Sequence, residues 1–182
     1  MASLRYDAAS AQCLLWTYKE GLFAAVGHDL LLRLARFELQ IDEEKGEVTG
    51  RFDASTLTVV DALRGGAPAR GALSERDRRE IEKAALREVL DADHQPEIHF
   101  TSSEVARGER EWTVSGRLTL RGVSKRVVLP VREEAGFLVA RHELHQPDYG
   151  IAPYSAMPGT LKVKPGVRIE VRVPRAPKGA TT

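Results

Sequence analysis

The 182-residue chain has a single cysteine, Cys13, so no disulfide can form within it. Cys13 lies in the apolar run Cys13-Leu14-Leu15-Trp16. It reads as a small buried hydrophobe, because a reactive thiol needs cationic neighbours or a helix N-terminus. No stretch approaches the ~20 consecutive apolar residues of a membrane-spanning helix. The opening MASLRYDAASAQ lacks the apolar segment of a secretory signal. The expectation is a soluble, cytoplasmic protein without stable membrane insertion; a chain trimmed of its leader would read the same and belong to the periplasm. Excess charge is missing too. The 27 Lys and Arg stand against 26 Asp and Glu and are spread along the chain. That excludes nucleic acid as the main partner, since phosphate binding needs a concentrated basic footprint. No repeat and no shift in composition marks a second domain. Residues 1–174 are expected to form one domain, with 175–182 a mobile tail.

What is present is a globular composition, 42% apolar and 29% charged, with period-two alternation throughout. A domain of this length buries roughly 70% of its unfolded surface, enough for a core with an internal cavity. Residues 11–19 read as a short strand and 28–42 as a long one. In the long strand Leu30, Leu32 and Leu34 share one parity and Phe37, Leu39 and Ile41 the other. A one-residue slip turns later side chains to the opposite face, so a bulge is expected near Ala35. The short polar turn Glu43-Glu44-Lys45-Gly46 makes a hairpin with the next run. There Val48, Gly50, Phe52 and Ala54 alternate before Leu57 and Val59 fall out of phase. Two long strands slipping near their middles predict a curved sheet, and curved sheets close into barrels.

Residues 61–73 read as a loop and 74–90 as a helix, the latter with Ser74 as N-cap and Asp77 where a capping box prefers Glu or Gln. Its apolar stripe is Ile81, Ala84, Ala85 and Val89, and its charged face reads as solvated surface. Strand patterning resumes at Ile98 and Phe100. It continues through EWTVSGRLTLRGVSKRVVLPV (111–131) and Phe137–Leu144, and ends with Val167, Ile169, Val171 and Val173, after a long loop over 146–165. The expected fold is all-β with one inserted helix: an eight-stranded antiparallel, lipocalin-like β-barrel.

Little in the sequence suggests bond-making chemistry. In His142-Glu143-Leu144-His145 the histidines are three apart on a strand and face opposite ways, so one ion is not gripped by both; no metal site and no cofactor are expected. His28-Asp29 opens the long strand. The pair reads first as satisfying backbone groups there, second as the polar end of a ligand pocket, and last as catalytic machinery. Tyr149 and Tyr154 in the long loop either cover a barrel end or plug it. Arg33, Arg141 and Lys162 are candidates for an anionic head group.

The run Trp112–Val131, with its Gly-Arg-Leu-Thr-Leu-Arg-Gly-Val-Ser-Lys hairpin, resembles the YceI-like family of bacterial isoprenoid-binding proteins. Pro96-Glu-Ile-His-Phe-Thr-Ser102 and Asp148-Tyr-Gly-Ile151 resemble that family's other motifs. The resemblance implies a lipocalin-like barrel with an apolar tunnel for a polyisoprenoid or other long-chain lipid. The inward rows supply the candidate ligand-binding residues. Trp112, Val114, Gly116, Leu118 and Leu120 come from one strand, with Gly116 leaving room for ligand. Leu30, Leu32, Leu34, Phe52, Phe100, Val127 and Leu129 come from its neighbours, and Tyr149, Tyr154 and His28 from the ends. The expected act is binding or carriage without chemistry. The alternatives are a small isomerase or hydrolase using His28 and Asp29, and a filled barrel acting as scaffold. Whether the chain pairs as a homodimer is left open.

Overall fold

The computed structural model describes residues 3–21, 27–109, 111–156 and 161–175. Strands β1 (Leu4–Asp7) and β2 (Gln12–Thr17) come first, then the two-residue β3 (Lys19–Glu20). β4 (Asp29–Leu34) and β5 (Phe37–Asp42) form one run, as do β6 (Glu47–Asp53) and β7 (Leu57–Arg64). The short β8 (Ala67–Pro68) precedes the helix α1 (Glu75–Ala84). Four long strands follow: β9 (Glu97–Arg107), β10 (Glu111–Leu120), β11 (Val123–Glu134) and β12 (Phe137–His145). Last come β13 (Ser155–Ala156), β14 (Leu161–Val163) and β15 (Gly166–Pro174).

Twelve strands form one antiparallel, curled sheet in the order β1-β5-β6-β9-β10-β11-β12-β15-β2-β4-β7-β8, and β13-β14-β3 form a small second one. The strand count exceeds the expected eight partly because the two long runs are each split in two. The split lies where the phase slips, but it is a two-residue break rather than a one-residue bulge. Ala35 and Arg36 face a 3-10 turn at Ala54–Thr56 in the partner run. Ala35 N–H donates to the Thr56 carbonyl (3.2 Å) and Arg36 N–H to Thr56 Oγ1 (3.0 Å). Both runs therefore bend at one level, and Leu34 and Phe37 are both buried.

One-residue bulges do occur elsewhere. Ser115 pairs with Glu104 and Gly116 with Ser102, which leaves Ser103 unopposed. Leu31 pairs with Asp61 and Leu32 with Val59, which leaves Val60 unopposed. A bulge frees backbone groups that need partners. At Val60 the helix supplies them: Arg78 donates to the Val60 carbonyl (2.6 Å), and Glu82 accepts from Val59 N–H (2.8 Å). These two charges are thus not the solvated surface that composition suggests. The expected loop at 61–73 also begins later, because strand pairing runs to Arg64 and Ala62 and Leu63 are buried.

The tight turn between β10 and β11 has Arg121 at φ 50° and Gly122 at φ 72°, the paired positive values that two-residue hairpins favour. The ladder between β11 and β12 is short, from Glu134–Phe137 to Val131–Ala140. Beyond it the two strands separate, with Pro130, which has no N–H to offer, at the point of divergence. Among the described residues, no helix is long and apolar enough to cross a membrane. At the C-terminal end Arg175 is docked, its N–H donating to the Gly136 carbonyl (2.9 Å) and its guanidinium pairing with Glu133. The rest of the expected tail, 176–182, lies outside the described residues.

Helix α1 begins with a reciprocal capping box. Asp77 N–H donates to Ser74 Oγ (3.1 Å) and Ser74 N–H to Asp77 Oδ2 (2.9 Å), so Asp serves where Glu is commoner. The helix continues through a wider π turn, Ala85–Val89. Ile81, Ala85, Leu86 and Leu90 pack onto the main core. Ser74→Ala removes one half of the box and should cost about 1 kcal/mol, read from thermal melts at neutral pH. The Ser74 hydroxyl and N–H hold the Asp77 carboxyl below its ordinary value. A depressed carboxylate stabilises above its unfolded pKa and loses that effect as pH falls through the folded one. The gap between wild type and Ser74→Ala should therefore narrow as pH drops below the usual aspartate range.

Candidate functional site

The inward rows of the curled sheet surround a cavity of about 840 Å³, within the ~300–1,000 Å³ range of small-molecule pockets. Leu30, Leu32 and Leu34 come from β4, Phe52 from β6 and Phe100 from β9. Trp112, Val114, Leu118 and Leu120 come from β10, and Val127 and Leu129 from β11. Together with His28 and Tyr154, all of these sequence-predicted residues border the cavity. Alternation places them there. Each strand sends every second side chain inward, and the breaks and bulges restore the parity where it slips.

Two of the predicted residues do not border it. Gly116 was expected to leave space for ligand, but that space belongs to Phe100: a Cβ on Gly116 would lie 2.6 Å from the Phe100 ring and 2.5 Å from the Thr101 carbonyl oxygen. The glycine admits a neighbouring ring and backbone, not a ligand. Tyr149 is buried, packed with Leu120, Leu144 and Ile151. It sits under the loop rather than on the cavity wall.

Several residues of the wall were not singled out from the sequence. β2 contributes Cys13 and Leu15, β12 contributes Ala140, His142 and Leu144, and β15 contributes Ile169 and Val171. Their alternation was visible, but not which strands adjoin across the sheet. The helix contributes Ile81, Ala84, Ala85 and Val89, its predicted stripe. Its charged residues Asp77, Glu80, Lys83 and Glu88 also border the cavity, as do Lys19 of β3, Lys162 of β14, and His28 and Tyr154 from loops. Away from these, Asp42, Glu43, Glu47 and Arg107 border the cavity from the β5–β6 turn and the end of β9.

The candidate head-group cations differ in their surroundings. Arg33 is exposed on the outer face and does not border the cavity. Arg141 does, but its charge is engaged. Its guanidinium donates to Glu134 (2.7 Å) and Glu170 (2.9 Å), and Glu134 is held below its ordinary value chiefly by that bond. Lys162 is exposed at the rim. Asp29 accepts from Lys19 N–H (2.9 Å), a structural role at the start of β4. The histidines of the His142–His145 segment part as strand geometry requires: His142 borders the cavity, while His145 pairs with Asp148 (3.2 Å). Among the described residues no group of three or more His, Cys, Asp or Glu is placed to hold a metal.

Fold and site together define a class: an antiparallel, curled β-sheet protein, with one helix packed on its core, whose inward face lines a largely aliphatic cavity. A family model, the YceI-like domain, matches residues 30–174. The chain belongs to the YceI-like family. Solved structures agree in fold. BcnA of Burkholderia cenocepacia is 15% identical over 92% of this chain and 97% of its own, with a TM-score of 0.62. The YCEI protein of Campylobacter jejuni is 14% identical over 80% and 85%, with a TM-score of 0.52. No curated protein matches the sequence.

Two outcomes check this geometry. Gly116→Ala should destabilise by roughly 1–3 kcal/mol, because the new methyl meets backbone as well as a ring; an unchanged urea midpoint would mean the wall is looser than described. Cys13 is 3% exposed, and burial pushes its thiol up to about 12. It should resist an aromatic disulfide reagent at pH 8 in the native state and react fully once the protein is unfolded.

Proposed function

We propose that this protein binds and carries a long-chain amphiphile, a polyisoprenoid or fatty-acid-like lipid, in the interior of its sheet, and performs no chemistry on it. The observation that carries the reading is the aliphatic cavity itself. A wall of Leu, Val, Ile and Phe gains from covering hydrocarbon, at about 0.8 kcal/mol per buried methylene before costs. Real ligands keep nearer ~0.3 kcal/mol per heavy atom, so a twenty-carbon chain nets about 6 kcal/mol, an affinity of tens of micromolar.

The course of the strands supports the same reading. Counting β4 with β5 and β6 with β7 as single bent strands leaves eight long strands in the twelve-stranded sheet, which supports reading it as a lipocalin-like barrel. β4 sits near one end of the sheet order and β5 near the other, and only two residues separate them in the chain. A cavity of this size argues against a solid barrel serving only as a scaffold. The engagement of the Asp29 carboxylate with backbone argues against its activating His28 as a base.

Native mass spectrometry of gently purified protein is the direct test, and a bound long-chain species is the expected result. Ala140→Phe places a ring into the cavity. It should reduce lipid capture at least tenfold while leaving the melting temperature unchanged or higher. Undiminished capture by this variant would locate the lipid elsewhere.

A further inference from the structure

His142 stands on the inward row of β12 between Ala140 and Leu144, and pairs across the ladder with Ile169. Its strand neighbours are spoken for: Arg141 is clamped by Glu134 and Glu170, and Glu143 is exposed. Three residues, roughly 10 Å, separate His142 from the end of its strand. The side chain is half-buried and borders the cavity. Its imidazole has no hydrogen-bond partner among the described residues, whereas His94, His99 and His145 each pair with a carboxylate.

An imidazole on an aliphatic wall is a poor choice for packing, because a buried polar group costs free energy until it is bonded. Burial moves its pKa down, with Glu143 opposing weakly, so the ring is neutral and offers one donor and one acceptor. A neutral ring whose neighbour Arg141 is already engaged by two carboxylates does not compensate a buried anion. It does complement an uncharged group that both donates and accepts, or only accepts.

We propose that His142 is a binding subsite within the cavity, recognising an uncharged hydroxyl or carbonyl on the carried chain. The subsite rests on the carriage reading and narrows it. The ligand is an aliphatic molecule bearing a neutral oxygen function that lies inside the wall rather than at the charged rim. Selectivity between chains of equal length then comes from one hydrogen bond, worth about three- to tenfold in affinity.

The test compares 1-dodecanol with dodecane by displacement of a cavity-bound fluorophore, for wild type, His142→Leu and His142→Gln. Wild type should prefer the alcohol three- to tenfold beyond the difference set by partitioning from water. His142→Leu should lose that preference and bind dodecane as well or better. His142→Gln, which keeps a donor and an acceptor, should retain part of it. Leucine suits the wall, so the folded state is expected to persist in that variant, with the glutamine variant as a second reading. In wild type the His142 ring nitrogens should shift in ¹⁵N spectra on adding alcohol and not on adding alkane. An alcohol preference that survives in His142→Leu overturns the subsite and leaves carriage standing, as does equal corrected binding of both probes by wild type. Failure of wild type to bind either probe overturns both.

Discussion

The constraint on which the structure depends is that two neighbouring strands break at one level. Ala35-Arg36 and Ala54–Thr56 face each other, and the gap is bridged by Thr56 through both its carbonyl and its hydroxyl. Asp53 completes the joint: its carboxylate caps the 3-10 turn through Ser55 N–H (3.0 Å) and pairs with Arg36 (3.0 Å). A sheet without such a joint would carry Phe37, Leu39 and Ile41 to its outer face. With the joint, the apolar rows before and after the break stay on one side while the strand direction turns. Curvature, the apolar inner face and the cavity all follow from that local accommodation.

Much of this was legible because strands alternate with a period of two, and phase slips are visible as doublets in that alternation. The break near Ala35, the hairpins, the helix with its cap, and the inward rows of β4, β10 and β11 could be read residue by residue. The errors have physical causes. Gly116 was misread because a glycine on an inward row reports only that something approaches closely, not what. In this wall it is the Phe100 ring and the Thr101 carbonyl. Tyr149 was misread because a loop's covering depends on what it packs beneath, and that was Leu120 and Leu144 from distant strands. The helix charges were misread because Arg78 and Glu82 bond to a bulge at Val60 that no local pattern announces.

Most of the charge on β15 lies on the face away from the cavity. On the outer face Glu170 is nearly buried, ringed by Arg141, Arg168 and Arg172, and Arg168 and Arg172 also lie over the Trp16 and Phe137 rings. The network holds Arg168, Glu170 and Arg172 of β15 off the cavity wall, where their attraction need not offset deep desolvation. An arginine that neighbours the cavity is therefore not evidence of an anion site; its bonds decide. Apart from Arg141 on β12, the charged groups that border the cavity come from the helix, the short strands β3 and β14, the β5–β6 turn and the ends of long strands.

The relatives of known structure share the fold at 15% identity or less, so side chains around the curled sheet vary widely while the curl persists. That separation follows from where each property resides. Curl needs only breaks, bulges and alternation, which many sequences satisfy. Hydrocarbon capture needs only inward aliphatic side chains, which alternation also supplies. Neither requirement distinguishes one long-chain ligand from another, because methylene contacts are additive and non-directional. Discrimination must come from the few polar groups that interrupt an otherwise uniform wall, where a hydrogen bond is either made or left open at a cost. In this chain the interruption on β12 is the His142 imidazole, which has no hydrogen-bond partner among the described residues and which, on the proposed reading, the ligand would complete.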